Sequence, residues 1–441
     1  MKPVQEILST TTKTNSSDYK TGYAAFKNGD YETAFRIWEP LAQQGDSNSQ
    51  NALGNLYNEG KGVAENYETG VGWFRLSAEQ GNAVAQFGMG NMYLRGTGVP
   101  QDDAAAVKWY GLAAEQGDSS AQNGLGFVYE NGRGVPQNYE TAAKWYKLSA
   151  EQGFHEAQRN LGNLFLKGLG VVQDFETGLE WYKLAAEQGS SAAPNDLGVM
   201  YQYGNGVPQN YKTALKWYKV AAKQETMEAC INLGEMYRQG SGVRKSTRTA
   251  IKWFKKAGKY GLDEAYYRIG IIYRTGEGVF QNYRKTVKYF TLGAERGCYK
   301  CQHGLGMNYQ EGKGVLTNHE TAVKWFNLAA EQGNRLSQHE MGRAFQNGEG
   351  VTQNHETAIE WYKLAAKQGD ELSQYNLAIM YAMSYGVSQN QVEAYKWAIL
   401  AAETRHEKAV KMKDYFFERL SPAQITKAQT LAREYAEENN L

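Results

Sequence analysis

The residues that could carry chemistry are few. Cys298 and Cys301 form a Cys-x-x-Cys with His303 close by, a spacing that suits a metal ligand pair or a thiol redox pair. Four zinc ligands would need a second such pair, and the one other cysteine is Cys230, which stands alone. The histidines are His155, His303, His319, His339, His355 and His406. They form no Ser/His/Asp order, and no paired-carboxylate pocket accompanies them. Gly-x-Gly segments such as Gly96/Gly98 and Gly132/Gly134 resemble phosphate loops. A phosphate loop, however, follows a strand and precedes a lysine-serine or dinucleotide fingerprint, and neither is present. The chain is therefore expected to be non-enzymatic, with no catalytic residue, metal or cofactor.

The elements that position these residues explain most of them. Trp73, Trp109, Trp145, Trp181, Trp217, Trp253, Trp325, Trp361 and Trp397 fall on one 36-residue period, with Tyr289 at the single missing place. A period of this length is the signature of a solenoid, in which each unit buries its apolar face against its neighbours. Within the period Cys301 takes the place of Ala85 and Ala121, and Cys298 that of the cap residue Asn82, so both read as structural. His319 and His355 stand where other repeats have Tyr67 and Tyr139, and read as part-buried substitutes.

Each period predicts two antiparallel helices. The first, helix A, opens after a glycine with a capping side chain: Asp46, Asn82, Asp118, Ser190, Asn334 or Asp370. Small residues recur in it at Ala85, Ala121, Ala157, Ala193, Ala229 and Ala265, and glycines five further on, from Gly90 and Gly126 to Gly342. A mid-helix glycine costs ~1 kcal/mol against alanine, so its recurrence predicts close approach of another helix backbone. Tyr93, Tyr129, Tyr201, Tyr237, Tyr273, Tyr309 and Tyr381 are expected to fill the space beside it. A Gly-x-Gly-Val connector follows. Helix B then starts at a cap such as Asn66, Asn138, Asp174, Asn210, Asn282, Asn318 or Asn354, with an inner face set by Ala142, Trp145 and Ala150 and their equivalents. At Glu225 the glycine expected in the left-handed cap position is missing.

The organisation is a disordered lead-in over 1–17, an atypical first helical repeat over 18–45, ten repeats over 46–402 and capping helices over 403–441. In the last part Thr404-Arg405 replaces the usual Gln-Gly ending. Ser421, Pro422 and Gln424 then supply a strong helix start, and Ile425, Ala428, Leu431, Ala432 and Tyr435 form one stripe. Three cysteines cannot staple ten repeats, no run of 18 apolar residues predicts a membrane span, and Met1–Ser17 lacks an apolar leader core. A cytoplasmic location is expected, or a periplasmic or secreted one if a signal precedes this numbering.

The combination Leu-Gly-x-Met-Tyr, Gly-x-Gly-Val, Ala-x-x-Trp-Tyr and Ala-Ala-Glu-Gln-Gly at this period resembles the Sel-one-like repeat family, relatives of tetratricopeptide repeats, over about residues 46–405. That resemblance implies an all-α, right-handed α/α solenoid of antiparallel helix pairs. It also implies an adaptor that assembles partner proteins in signalling, protein quality control or bacteria–host contact. One branch of the family carries a disulfide pair in each repeat and is associated with β-lactam binding or hydrolysis, which gives as an alternative a protein that binds or hydrolyses β-lactams or cell-wall fragments. The absence of those pairs argues against that branch; a self-associating array is a further alternative.

Partner information should lie where the repeat varies. One ladder follows the helix-A glycine: Asn55, Asn91, Phe127, Asn163, Val199, Glu235, Ile271, Met307, Arg343 and Ile379, flanked by Phe87, Asn123 and Tyr267. Inner helices of stacked pairs line a concave groove, so these residues are expected to bind a protein or an extended peptide. Charge gives a second signal. The chain is near neutral at +1, yet Ser241–Lys300 holds 14 Lys+Arg against 4 Asp+Glu, including Arg244, Lys245, Arg248, Lys252, Lys255, Lys256 and Lys259. That patch suits an acidic partner. No nucleic-acid-binding module accompanies it, so nucleic acid is not the expected ligand.

Overall fold

The computed structural model describes residues 17–403 and 407–439. The expected lead-in lies outside the described residues apart from Ser17, as do Thr404, Arg405 and His406. Among the described residues every regular element is a helix, and the helices fall into two compact units that divide between Gln224 and Glu225. Each unit is an α/α solenoid of A and B helices. The second repeat is representative: helix A runs Ala83–Arg95 and helix B Asp103–Glu115.

Local chemistry fixes both ends of these helices. Asn82 Oδ1 accepts the Ala85 amide at 3.1 Å, and Asp102 Oδ1 accepts that of Ala105 at 2.9 Å. Gly96, with φ 69°, ends helix A in the left-handed region. Gly98 also has positive φ and seats its loop on the backbone of Tyr67, the first residue of the preceding B helix: an added Cβ would lie 2.6 Å from the Tyr67 carbonyl oxygen. The connector is thus a contact between repeats as well as a turn.

The core corrects two sequence expectations. What approaches the helix-A glycine is an aromatic ring, and it belongs to helix B. A Cβ added at Gly90 would lie 2.5 Å from Cδ1 and Cε1 of Tyr110. The same pairing recurs as Gly126/Tyr146, Gly162/Tyr182, Gly198/Tyr218, Gly234/Phe254, Gly270/Phe290, Gly306/Phe326 and Gly342/Tyr362, always twenty positions apart. Tyr93, Tyr129 and their equivalents are only half-buried against neighbouring clusters. Likewise Trp145 is half-buried whereas Tyr146 is fully buried, so the position after the tryptophan sets helix B's inner face. In the last repeat the pair becomes Ala378/Ala398, both fully buried: the ring and the need for glycine disappear together.

Further departures are local. Helix A of the 191–225 repeat starts late, at Ala193 with Ala192 as the cap, because Pro194 sits in its first turn; Ser190 Oγ still accepts the Ala193 amide at 3.2 Å. His319 is exposed rather than part-buried, while His355 is half-buried and stacks on Tyr385. At the C-terminal end Ser421 and Gln424 form a reciprocal capping box, with Ser421 N donating to Gln424 Oε1 at 3.0 Å. Helices Glu407–Phe417 and Pro422–Asn439 bring Phe416, Leu420, Ala428 and Ala432 into one cluster with Trp397 and Leu400.

A buried glutamine ladder also links repeats. Gln86 Nε2 donates to Ala78 O at 3.1 Å, and Gln86 Oε1 accepts Gln116 Nε2 at 2.7 Å. Gln50, Gln122, Gln302 and Gln338 do the same with their own neighbours. The ladder lapses where Pro194, Cys230 and Tyr266 replace the glutamine, and Gln158 Oε1, the last acceptor before that gap, is buried without a partner. The glutamine of Glu-Gln-Gly is itself exposed, yet it donates to the buried helix-A glutamine of its own repeat, so it serves the fold as well as preceding a turn.

Two outcomes follow. Gly90→Ala should destabilise the chain by about 1–3 kcal/mol in urea unfolding, because forcing Tyr110 aside outweighs alanine's gain of ~1 kcal/mol in helix propensity. Glu225 has φ 63°, which L side chains adopt at a cost; Glu225→Gly should raise stability by roughly 1 kcal/mol in the same measurement.

Candidate functional site

The variable ladder is built on the A helices one residue beyond the ring-bearing glycine. Helical geometry turns that residue about 100° away from the buried ring. The side chains are accordingly half-buried, as at Asn55, Asn91, Asn163, Val199, Glu235, Ile271, Met307, Arg343 and Ile379, while Phe127 is 39% exposed. The flanking residues lie over the ring: Phe87 against Tyr110 at 5.8 Å between centroids, and Tyr267 stacked on Phe290 at 5.7 Å. Asn123 belongs to the same face, with its Oδ1 accepting Asn160 Nδ2 at 3.1 Å.

Several members of the ladder already have partners within the fold. Tyr110 donates its hydroxyl to Asn91 Oδ1 at 2.8 Å, and Tyr182 donates likewise to Asn163. Where no asparagine follows the glycine, the hydroxyl finds an acceptor one turn on: Tyr146 donates to Glu130 at 2.6 Å, Tyr218 to Gln202 at 2.6 Å and Tyr362 to Gln346 at 2.7 Å. Burial pushes the Tyr110 phenol up to about 12, so it stays a donor at neutral pH. Where the ring is phenylalanine the following position is released from this duty, and Asn55, Glu235, Ile271 and Met307 stand there.

The charged members are paired too. In the second unit Glu235 accepts from Arg238 at 2.8 Å and Arg268 at 2.7 Å, while Arg238 also reaches Glu277 at 2.9 Å. With Tyr267 and Ile271 they line a cleft of about 270 Å³. Arg343 bridges Glu340 and Glu349 at 3.0 and 2.9 Å. In the first unit Asn163, Val199 and Tyr182 line a cleft of about 350 Å³ with Leu166, Phe175 and Asp196. The ladder is therefore a mixed surface: amides committed to tyrosines, ion pairs, and apolar residues left for contact.

The basic segment forms a different surface. Arg244, Lys245, Arg248, Lys252, Lys255 and Lys259 are exposed, and Lys256 lies over the Trp253 and Tyr260 rings at 5.5 and 5.4 Å. Arg248, Lys252 and Lys255 converge with Lys285 on a cleft of about 850 Å³ between helices Thr247–Lys259 and Tyr283–Ala294, walled by Ile251, Tyr273, Phe280 and Asn282. Lys285 and Phe280 were not singled out from the sequence. Their signal is a departure from the repeat: Lys285 stands where Thr69, Thr141, Thr177, Thr213, Thr249, Thr321 and Thr357 stand.

Cys298 is the cap of helix Tyr299–Glu311, and Cys301 is fully buried one turn on. The hydrogen bond from Cys301 lowers the Cys298 thiol to about 7, and the same contact with burial pushes Cys301 up. Among the described residues no group of three His, Cys, Asp or Glu side chains could hold a metal ion. His303 is held against Phe326 and Ser337, and desolvation lowers it to about 4.

The Sel1 repeat profile matches ten stretches: 47–82, 83–118, 119–154, 155–190, 191–225, 228–260, 263–298, 300–334, 335–370 and 372–403. A similar crystal structure is that of c5321, described as a protective antigen present in uropathogenic Escherichia coli strains and displaying an SLR fold. It is 30% identical, with 98% of this chain and 94% of that one covered and a TM-score of 0.56. A Sel1 repeat protein from Oxalobacter formigenes is 34% identical over 54% of this chain and 96% of its own, with a TM-score of 0.51. The comparison with curated proteins gave no match.

His303 provides a test of the packed face. Its folded-state value lies below the unfolded value of 6.5, so the unfolded chain takes up the proton first. Stability should therefore be complete above pH 6.5, fall as pH drops towards 4, and level off below. His303→Gln should flatten that part of the urea-midpoint profile; an unchanged slope would place the titration elsewhere.

Proposed function

This chain belongs to the Sel1 repeat family, and on that premise we propose that it is a non-enzymatic adaptor binding an extended peptide segment of a partner along the A-helix face. Sel1 repeat proteins are generally protein-interaction scaffolds, and their repeats are typically non-catalytic. The observation that carries the finer reading is the division of labour within each repeat. Ring, glycine, loop and glutamine positions recur because the fold needs them, the rings and the helix-A glycines being buried, whereas the position after the glycine varies from repeat to repeat and stays accessible. Within each unit a solenoid presents such a row along one face, and an extended segment can contact several repeats in succession.

The hydrogen bonds sharpen which residues do the binding. Asn91 and Asn163 hold tyrosine hydroxyls, so they serve the fold first. Phe127 and Val199 in the first unit, and Ile271 and Tyr267 in the second, are the apolar anchors, with partner side chains seated in the clefts beside Val199 and Ile271. The basic segment supplies a second contact, to an anionic partner. Among the described residues no helix is long and apolar enough to cross a membrane.

The test selects peptides from a random display library on the whole chain and measures their affinity by fluorescence anisotropy. Phe127→Glu with Val199→Glu should weaken the selected peptides at least about tenfold, the loss of one to two anchors at ~1–2 kcal/mol each, with the helical circular dichroism unchanged. Lys147→Glu, a charge change away from these anchors, should leave them bound. Equal affinity for both variants would reject this face as the binding surface.

A further inference from the structure

We propose that the basic edge of the second unit docks on an anionic phospholipid bilayer, with Arg248, Lys252, Lys255 and Lys285 on headgroup phosphates and Phe280 and Leu316 in the interfacial layer. The proposal rests on the reading that the basic segment takes an anionic partner, and it names the class of that partner.

Three observations converge on it. The first is that the cations are unneutralised. Of the four acids between 241 and 300, three are occupied elsewhere: Asp263 with Arg296 at 3.3 Å, Glu264 with Lys300 at 2.8 Å and Glu277 with Arg238 at 2.9 Å. Among the described residues no carboxylate lies within ion-pairing distance of Arg248, Lys252, Lys255 or Lys285, and none lines their cleft of about 850 Å³. Lys255 and Lys285 instead lie over Tyr289 and Tyr273 at 5.4 and 4.9 Å.

The second is that the repeat's own pattern is reversed here. At the register of Arg248 and Arg284, five other repeats carry Glu68, Glu140, Glu176, Glu320 and Glu356 in the first turn of helix B, two carry the uncharged Ala104 and Val392, and one, in the first unit, carries Lys212. A carboxylate there complements the positive end of the helix dipole, and a cation opposes it. The first two B helices of the second unit, Thr247–Lys259 and Tyr283–Ala294, thus begin with the unfavourable sign, as Tyr211–Lys223 in the first unit does with Lys212, and Tyr283–Ala294 adds Lys285 in place of threonine. An external anion would relieve both the mutual repulsion and the dipole.

The third is apolar exposure in the same place. Phe280 lines the basic cleft yet is 97% exposed, and Leu316, at the same loop position one repeat on, is 90% exposed. The corresponding residues are Ala64, Pro100, Pro136, Val172, Pro208 and Arg244 earlier in the chain and Thr352 and Ser388 later; Val172 is likewise 87% exposed, but its loop packs through Gly170 on the acidic helix start at Tyr139 and Glu140, so the place of Phe280 and Leu316 beside cations is what sets them apart. The Leu316 loop sits on the cationic helix start, since Gly314 packs on the backbone of Tyr283 and Arg284. A charged polymer would satisfy the cations and leave the two apolar tips in water. A bilayer offers phosphates at the level of the cations and an apolar layer beyond them, and long Lys and Arg stems bridge the two.

The test is co-sedimentation of the full chain with phosphatidylcholine vesicles with and without phosphatidylglycerol, alongside retention on immobilised poly-glutamate. Binding should require phosphatidylglycerol, and it should fall at least about tenfold in Arg248→Glu/Lys285→Thr, since each cation near an anionic surface contributes severalfold. Those replacements are the residues other repeats use at these places, so folding is retained. Phe280→Ser/Leu316→Ser should leave low-salt binding but make it far more salt-sensitive. Retention on poly-glutamate without vesicle binding would overturn the bilayer and keep an anionic partner. Binding to neither would overturn both readings, and the same would follow if the charge variant bound vesicles as the wild type does.

Discussion

The structure depends on one contact: an aromatic ring of helix B laid against a glycine of helix A. Without a Cβ at Gly90 or Gly126 the ring of Tyr110 or Tyr146 can lie flat on the helix, and the two helices close around it. Each buried ring is worth roughly 1.5–3 kcal/mol in transfer from water, more than the ~1 kcal/mol a mid-helix glycine gives up. The last repeat shows that the two requirements are one, because Ala378 and Ala398 replace them jointly. Caps, Gly-x-Gly loops and glutamines then fix how successive pairs stack.

This contact also shapes the accessible surface. A tyrosine ring reaching across its glycine carries a hydroxyl that must be satisfied, and the acceptor is found on the far side of helix A, at Asn91, Glu130, Asn163, Gln202 or Gln346. Core and surface are coupled through one hydrogen bond in each such repeat. Phenylalanine at 254, 290 and 326 removes the coupling. In that stretch the surface carries an ion-paired glutamate, isoleucine and methionine instead. The basic edge lies in the same stretch, where the glutamine ladder has also lapsed.

The repeat period, the helix pairs and nearly all caps were legible in the sequence, because they rest on local rules: a polar side chain meeting free amides, a glycine ending a helix. The identity of the buried ring was not. Tyr93 and Tyr110 are equally aromatic and equally periodic, and only the facing direction of helix B decides that Tyr110 goes under. Tryptophan misled for a related reason: it recurs most visibly, yet Trp145 is half-buried beside Tyr146. Of the basic patch the charge was legible, whereas the gathering of Lys285 and Phe280 with Arg248 required two helices and a loop to be placed in space. Ser190 read as a cap from its type alone, and Pro194 moved the helix start beyond it.

The twenty-residue reach of the ring-to-glycine contact bears on how such a chain comes into being. Every tertiary interaction that defines a repeat is made with its own partner helix or with the next repeat, so sequence-distant loops need not be closed before the core rewards closure. A chain emerging from the ribosome can complete each ring-and-glycine pair soon after its second helix appears. The same short range lets a gene lengthen or shorten by whole 36-residue units, since removing one leaves a glycine loop facing an equivalent helix start. The reach of the binding face, measured in repeats, is thus a quantity that recombination can adjust without redesigning any core.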